Sequence, residues 1–229
     1  VGRPERALSM IDLVTTAPQD ETPMKIAGTP IPGPAFVDVV ELTDERGFFA
    51  RSFCRDEFVD AGLEPVVAQC NVSYNHLAGT LRGMHFQTAD APEAKLVRCT
   101  RGAIIDVIVD MRPGSATLGE HVAVELTADN HRALFIPPLF AHGFQTLQDA
   151  TEVHYQVSQP YTPNTERGLR FADDALDLED RPFQRVHLGL QAAVGGCRRG
   201  GVRAGGITLR RARARAGKPT NAGVELMNA

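Results

Sequence analysis

β-favouring apolar residues gather in short runs along the chain, separated by turn-forming residues. Phe36 to Leu42, Pro65 to Ser73, Lys95 to Cys99, Ala103 to Asp110, His121 to Leu126, Ala133 to Pro137 and Glu152 to Val157 are rich in Val, Ile, Phe and Thr, the residues that suit a pleated, half-buried surface. Arg101-Gly102, Arg112-Pro113-Gly114 and Asp129-Asn130 supply turns between them. The one clear helical stretch is Arg55 to Ala61. It is too short to cover a parallel sheet, so the pattern predicts an all-β antiparallel sandwich or barrel. Residues 1–23 carry no periodicity and read as an unstructured lead-in; Met24 opens the patterned region. That region fades near Pro182, and residues 183–229 form an Arg/Gly/Ala-rich tail with no aromatic residue after Phe183. Such a segment cannot build a packed core and is expected to be disordered.

Size and composition narrow the class. At 229 residues the chain has ample length to bury one core. No run approaches the ~20 apolar residues of a membrane span, so no membrane partner is expected. The four cysteines, Cys54, Cys70, Cys99 and Cys197, form no CxxC pair, which points to a reducing cytoplasm rather than a disulfide framework. The net charge of −4 conceals an opposition: residues 1–192 carry 16 basic and 27 acidic side chains, net −11, while residues 193–218 are basic without a single acid. A body that acidic repels a phosphate backbone, and nucleic acid is not expected as its partner.

Two histidine-bearing segments carry the candidate chemistry. The first runs Leu81-Arg82-Gly83-Met84-His85-Phe86-Gln87 and is followed by Lys95 to Arg98; the second is Pro137 to Phe144 around His142, with Tyr155 thirteen residues further on. In a regular strand Arg82 and His85 face opposite sides; Gly83 permits a bulge that brings both toward one cavity. His142 stands in the second segment either as a residue of the site or as a buried, hydrogen-bonded histidine. The two histidines lie 57 residues apart in an all-β region, a layout similar to that of a cupin.

The resemblance then becomes specific. Asp44 to Phe49 (DERGFF), Gln69-Cys70-Asn71-Val72-Ser73, Leu81 to Gln87, Ala94 to Arg98, Asp106 to Asp110, Pro137 to Phe144, Tyr155 and Tyr161 to Gly168 stand in the order and near-spacing of the dTDP-4-dehydrorhamnose 3,5-epimerase family. The resemblance spans Met24 to Leu178 and implies a cupin-type jelly roll over residues 24–182. It also implies a homodimer, and a substrate that is a nucleotide-diphospho-4-keto-6-deoxysugar, epimerised at C3 and/or C5 without metal or organic cofactor. Carried over position by position, it makes His85 the general base, Tyr155 the acid on the opposite ring face and Lys95 the cation beside the enolate oxygen. Arg46, Gln69, Asn71, Arg82, His142 and Glu166 match positions that contact nucleotide, phosphates or sugar. The residue types agree with the chemistry, since abstraction beside a ketone wants a base with a pKa of about 7 and a fixed cation at the oxygen.

The chain also departs from the family pattern. Arg51 stands where the family has an acid near the nucleotide base; a guanidinium only donates and suits acceptor edges such as those of cytosine. Phe171 replaces a common Trp, and the chain has no Trp. The C-terminal Ser-x-Lys/Arg-Asp motif, whose aspartate orients the catalytic histidine in the family, is missing; Asp173 and Asp174 are the nearest substitutes. Without a carboxylate partner, His85 is expected to titrate near its unperturbed value of about 6.5. A binding-only nucleotide-sugar protein and a metal-dependent cupin enzyme are the competing readings.

Overall fold

The structure is a computed structural model and describes residues 23–169. The expected lead-in, the tail from residue 183, and Phe171, Asp173 and Asp174 lie outside the described residues, apart from Pro23. Thirteen strands and one helix follow in the order β1 (Lys25–Gly28), β2 (Ala35–Asp38), β3 (Leu42–Asp44), β4 (Gly47–Phe49), α1 (Arg55–Asp60), β5 (Gln69–Asn75), β6 (Leu81–Gln87), β7 (Lys95–Arg101), β8 (Ala103–Asp110), β9 (His121–Thr127), β10 (Ala133–Ile136), β11 (Phe140–Thr146), β12 (Thr151–Val157) and β13 (Glu166–Gly168). One sheet has the strand order β1-β2-β10-β7-β12-β5 and the other β13-β6-β11-β8-β9, while β3 and β4 form a separate hairpin. Every pairing is antiparallel. This is the all-β jelly roll expected, with one short helix.

The two-residue side-chain period decides what each sheet buries. Val97 and Cys99 of β7, Leu134 and Ile136 of β10 and Val153 of β12 meet Ile104 and Ile108 of β8, Leu126 of β9, and Phe140 and Phe144 of β11 between the sheets. The alternate residues face outward into two flanking clusters. Leu96, Val37, Ala133 and Phe135 pack against Phe58, the buried residue of α1, so the helix seals the far side of the six-stranded sheet. Met84, Phe86, Val107, Val109 and Ala141 form the cluster behind the other sheet. Among the described residues no helix is long and apolar enough to cross a membrane.

Most expected runs became strands, with shifted ends. The run from Phe36 stops at Asp38, and the run from Pro65 becomes a strand only at Gln69. Strands β6 and β11 had no clear apolar signature, because glycine, histidine and glutamine occupy positions that a purely structural strand fills with Val or Ile.

Candidate active site

The site begins with a fault in the pleat of β6. His142 pairs with His85, but the next residue along β11, Gly143, pairs with Gly83, leaving Met84 as the extra residue of a β-bulge. Met84 and Phe86 both join the outer cluster, so His85 between them turns to the interior. Upstream of the bulge, Arg82 also turns inward, and its Nε donates to Asn75 Oδ1 at 2.7 Å. The bulge depends on glycine: Gly83 has φ +93°, and a Cβ there lies 2.4 Å from the His142 carbonyl oxygen. The expected bulge at Gly83 is present.

Two cavities open between the sheets on either side of His85. One of about 380 Å³ is lined by Ser73, Leu81, Arg82, His142 and Phe144, among others. The other, about 360 Å³, is lined by Gln69, Asn71, Gln87, Glu93, Tyr161 and Glu166, among others. Among the described residues, only His85, Lys95 and Tyr155 line both. They come from β6 of one sheet and from β7 and β12 of the other, where Val157 is the partner of Lys95 and Val97 that of Tyr155. The two spaces adjoin at these three side chains and form the two lobes of the candidate cleft.

Supporting side chains hold the walls. The buried Asn75 donates through Nδ2 to the carbonyl oxygens of Ser73 and Thr151, each at 3.3 Å, which aims its Oδ1 at Arg82. His142 Nε2 lies 2.9 Å from Oδ1 and 3.1 Å from Oδ2 of Asp106, a fully buried carboxylate on β8, with the hydrogen bond going to Oδ2. His142 therefore fits both sequence readings, being a buried, hydrogen-bonded histidine that also lines a lobe. Lys95 Nζ lies 3.3 Å from Glu93 Oε2, and both side chains are about nine-tenths buried.

Electrostatics favour the neutral form of His85. Burial comes first, then the charge of Lys95, then His142; together they push the imidazole down to about 4. This corrects the expectation of a value near 6.5. Desolvation disfavours the imidazolium and the Lys95 charge opposes it further, while among the described residues no carboxylate is one of the causes. Among the described residues no three His, Cys, Asp or Glu side chains form a group suited to a metal ion.

Of the residues singled out in the sequence, His85, Tyr155, Lys95, Gln69, Asn71, Arg82, His142 and Glu166 line the cleft. Arg46 and Arg51 line neither lobe. Arg46, on the exposed turn of the β3–β4 hairpin, binds Asp44 through Nε and Nη2. Arg51 donates from Nη1 to Glu57 Oε1 at 2.5 Å at the start of α1. The sequence reading missed Ser73, Glu93, Phe144 and Tyr161 as cleft residues and Asn75 and Asp106 as supports. Ser73 and Tyr161 stood inside quoted motifs, and Asn75 lies two residues beyond Ser73 on the same strand face. Only the sheet pairing shows that Asp106 on β8 faces His142 on β11.

The model of the family described as dTDP-4-dehydrorhamnose 3,5-epimerase matches residues 28–188. The chain is similar to the dTDP-4-dehydrorhamnose 3,5-epimerase of Methanothermobacter thermautotrophicus, with 40% identity over 158 residues, 69% of this chain and 84% of that one. The crystal structure of the Bacillus anthracis enzyme of that name, with TDP and PPi bound, superposes with a TM-score of 0.65 at 38% identity, covering 68% of this chain and 89% of that one. The Legionella pneumophila dTDP-6-deoxy-D-glucose-3,5-epimerase, in complex with dTDP-4-keto-L-rhamnose, gives a TM-score of 0.64 at 34% identity, covering 68% and 82%.

Proposed function

This chain belongs to the dTDP-4-dehydrorhamnose 3,5-epimerase family, isomerases that act on a dTDP-linked 4-keto-6-deoxysugar, and from that premise we propose that His85, Lys95 and Tyr155 carry the reaction. His85 takes the proton from a ring carbon beside the ketone. The electron pair of that C–H bond moves to the ketone oxygen, where the Lys95 ammonium stabilises the enolate. Tyr155 then delivers a proton to the opposite face of the same carbon, and the configuration is inverted. Lys95 fills the role that a metal would fill in a metal-dependent cupin. The observation that carries this reading is that these three side chains, and no other described residue, line both lobes. A sugar ring at the junction meets all three.

Arg82 and His142 in one lobe, and Gln69, Asn71, Glu166 and the exposed ring of Tyr161 in the other, are the groups assigned to the rest of the nucleotide sugar. Arg46 and Arg51 fit this role only in a homodimer, in which the β3–β4 hairpin region of one copy reaches the cleft of another. Two features support that assembly. Phe48 and Phe49 on the hairpin are exposed, and the edge strand β5 presents Val72 and Tyr74 to solvent. The cytoplasm suits Cys54, Cys70 and Cys99, which are free thiols.

The test is solvent exchange. In heavy water a dTDP-4-keto-6-deoxyhexose is expected to take deuterium at C3 or C5, read by NMR or mass spectrometry. Tyr155→Phe is expected to keep proton removal while inverted product falls at least tenfold, or about 1.4 kcal/mol. A parental protein that binds the sugar and exchanges nothing would overturn the reading.

The position of His85 on the pH scale gives a second expectation. Protonated imidazole cannot accept the substrate proton, so activity is lost as pH falls through its pKa. With His85 held at about 4, kcat/KM should stay level from neutrality down to pH of about 5 and decline only below that. An acid limb centred near 6.5 would contradict the environment described for His85.

A further inference from the structure

Resting on the reading of Lys95 as the cation at the enolate oxygen, we infer that Glu93 is a positioning residue for the reaction, its carboxylate fixing the Lys95 ammonium at the junction of the two lobes. A lysine carries its charge on a flexible four-carbon stem, so the first residue of β7 does not by its backbone alone set where Nζ stands. The ion pair with Glu93 does so. Its separation is 3.3 Å, and both side chains are about nine-tenths buried. An ion pair this dry is far less screened by salt than a surface pair. Glu93 is two residues ahead of Lys95, in the loop that enters β7, and the loop is itself tied down. Ala94 N–H donates to Ser158 Oγ, and Ser158 N–H to the Ala94 carbonyl, so the carboxylate is carried by a segment anchored to the end of β12.

The groups around Lys95 show why a dedicated anchor matters. His85 on β6, Tyr155 on β12 and Glu166 on β13 share a lobe with it, and Arg82 on β6 and His142 on β11 line the other. Arg82 repels the ammonium and Glu166 attracts it toward the outer strand β13. An unanchored lysine would leave the ketone oxygen, and an oxyanion stabiliser contributes only when it is already in place as charge develops. Glu93 touches no reacting atom in this account and acts through Lys95.

A double-mutant cycle tests this with a dTDP-4-keto-6-deoxyhexose as substrate. Glu93→Ala in the parental protein is expected to lower kcat at least tenfold with KM changed less than threefold, since the lost interaction belongs to the transition state. In a Lys95→Ala background the same substitution is expected to cost less than twofold, because nothing remains to be positioned. Glu93→Asp, which keeps the charge, should recover part of the lost kcat. A Glu93→Ala cost of equal size in both backgrounds would overturn the proposal, as would a loss confined to KM. One readout does not need turnover. The Lys95 charge helps hold the His85 imidazole at about 4, so releasing that lysine by Glu93→Asp, which keeps the carboxylate charge but shortens its reach, should raise the His85 titration midpoint followed by NMR. An unchanged or lower midpoint overturns the positioning role even if the parental protein were to show no exchange, a separate result that bears on the enolate reading alone.

Discussion

Replacing His85 with alanine is expected to slow deuterium uptake at both C3 and C5 by about 10² to 10⁴-fold, the range general-base catalysis supplies. That corresponds to roughly 3 to 5 kcal/mol of activation free energy. The loss should be in chemistry rather than folding. His85 is half-buried at the meeting point of two cavities, and its ring is not part of any of the three apolar clusters. A denaturation midpoint close to the parental one alongside collapsed exchange is the predicted pair of results. Exchange at the parental rate would remove His85 from the mechanism and shift attention to His142, whose imidazole is already committed to Asp106.

The largest effect on the fold is expected from Gly83→Ala. The new methyl group would stand 2.4 Å from the His142 carbonyl oxygen and 2.6 Å from Gly143 Cα. Both are backbone atoms and cannot swing aside. Gly143 is equally confined on the facing strand, where a Cβ would lie 2.8 Å from the Arg82 carbonyl oxygen, so neither strand can retreat without parting β6 from β11. A φ of +93° adds strain of its own for any L side chain. Overpacking and backbone strain together are expected to destabilise the protein by about 3 to 5 kcal/mol and to displace Arg82 and His85. Chemical denaturation measures this directly. A variant within 1 kcal/mol of the parent, on the order of an ordinary surface change, would show that the two strands have more room than this geometry allows.

These residues also show how far the sequence could be read. The strands that build the core, such as β7, β8 and β12, announced themselves through Val and Ile, because burial alone selects their side chains. Strands β6 and β11 had the weakest apolar pattern and form the centre of the cleft, where chemistry and close backbone approach override propensity. The histidines, Lys95 and Tyr155 were legible as cleft residues through the ordered family motifs in which they stand, and the structure brings all four to its walls. Pairings were not legible. That Asp106 would serve His142, that Asn75 would brace Arg82, and that Arg51 would turn to Glu57 are decided by sheet register and loop path, which single-strand patterns do not encode. The depressed titration of His85 was missed for a similar reason, since it depends on desolvation and on a lysine from the opposite sheet.

The unmatched Met84 lets β6 set two side chains of one face an odd number of residues apart, which a regular strand cannot do. Same-face side chains on an unbroken pleat stand about 6.6 or 13 Å apart, two or four residues at roughly 3.3 Å each. With one residue slipped out of phase, Arg82 and His85 share a wall at a three-residue interval in sequence, yet they pair with Phe144 and His142, only two residues apart on β11. A cation and a base are therefore held one ordinary same-face step apart on the facing strand, while the spare residue is spent on the opposite side of the sheet. Deleting that single methionine would leave Arg82 and His85 two residues apart, an interval that keeps both on one face of a regular strand, and would cost the outer cluster the Met84 side chain.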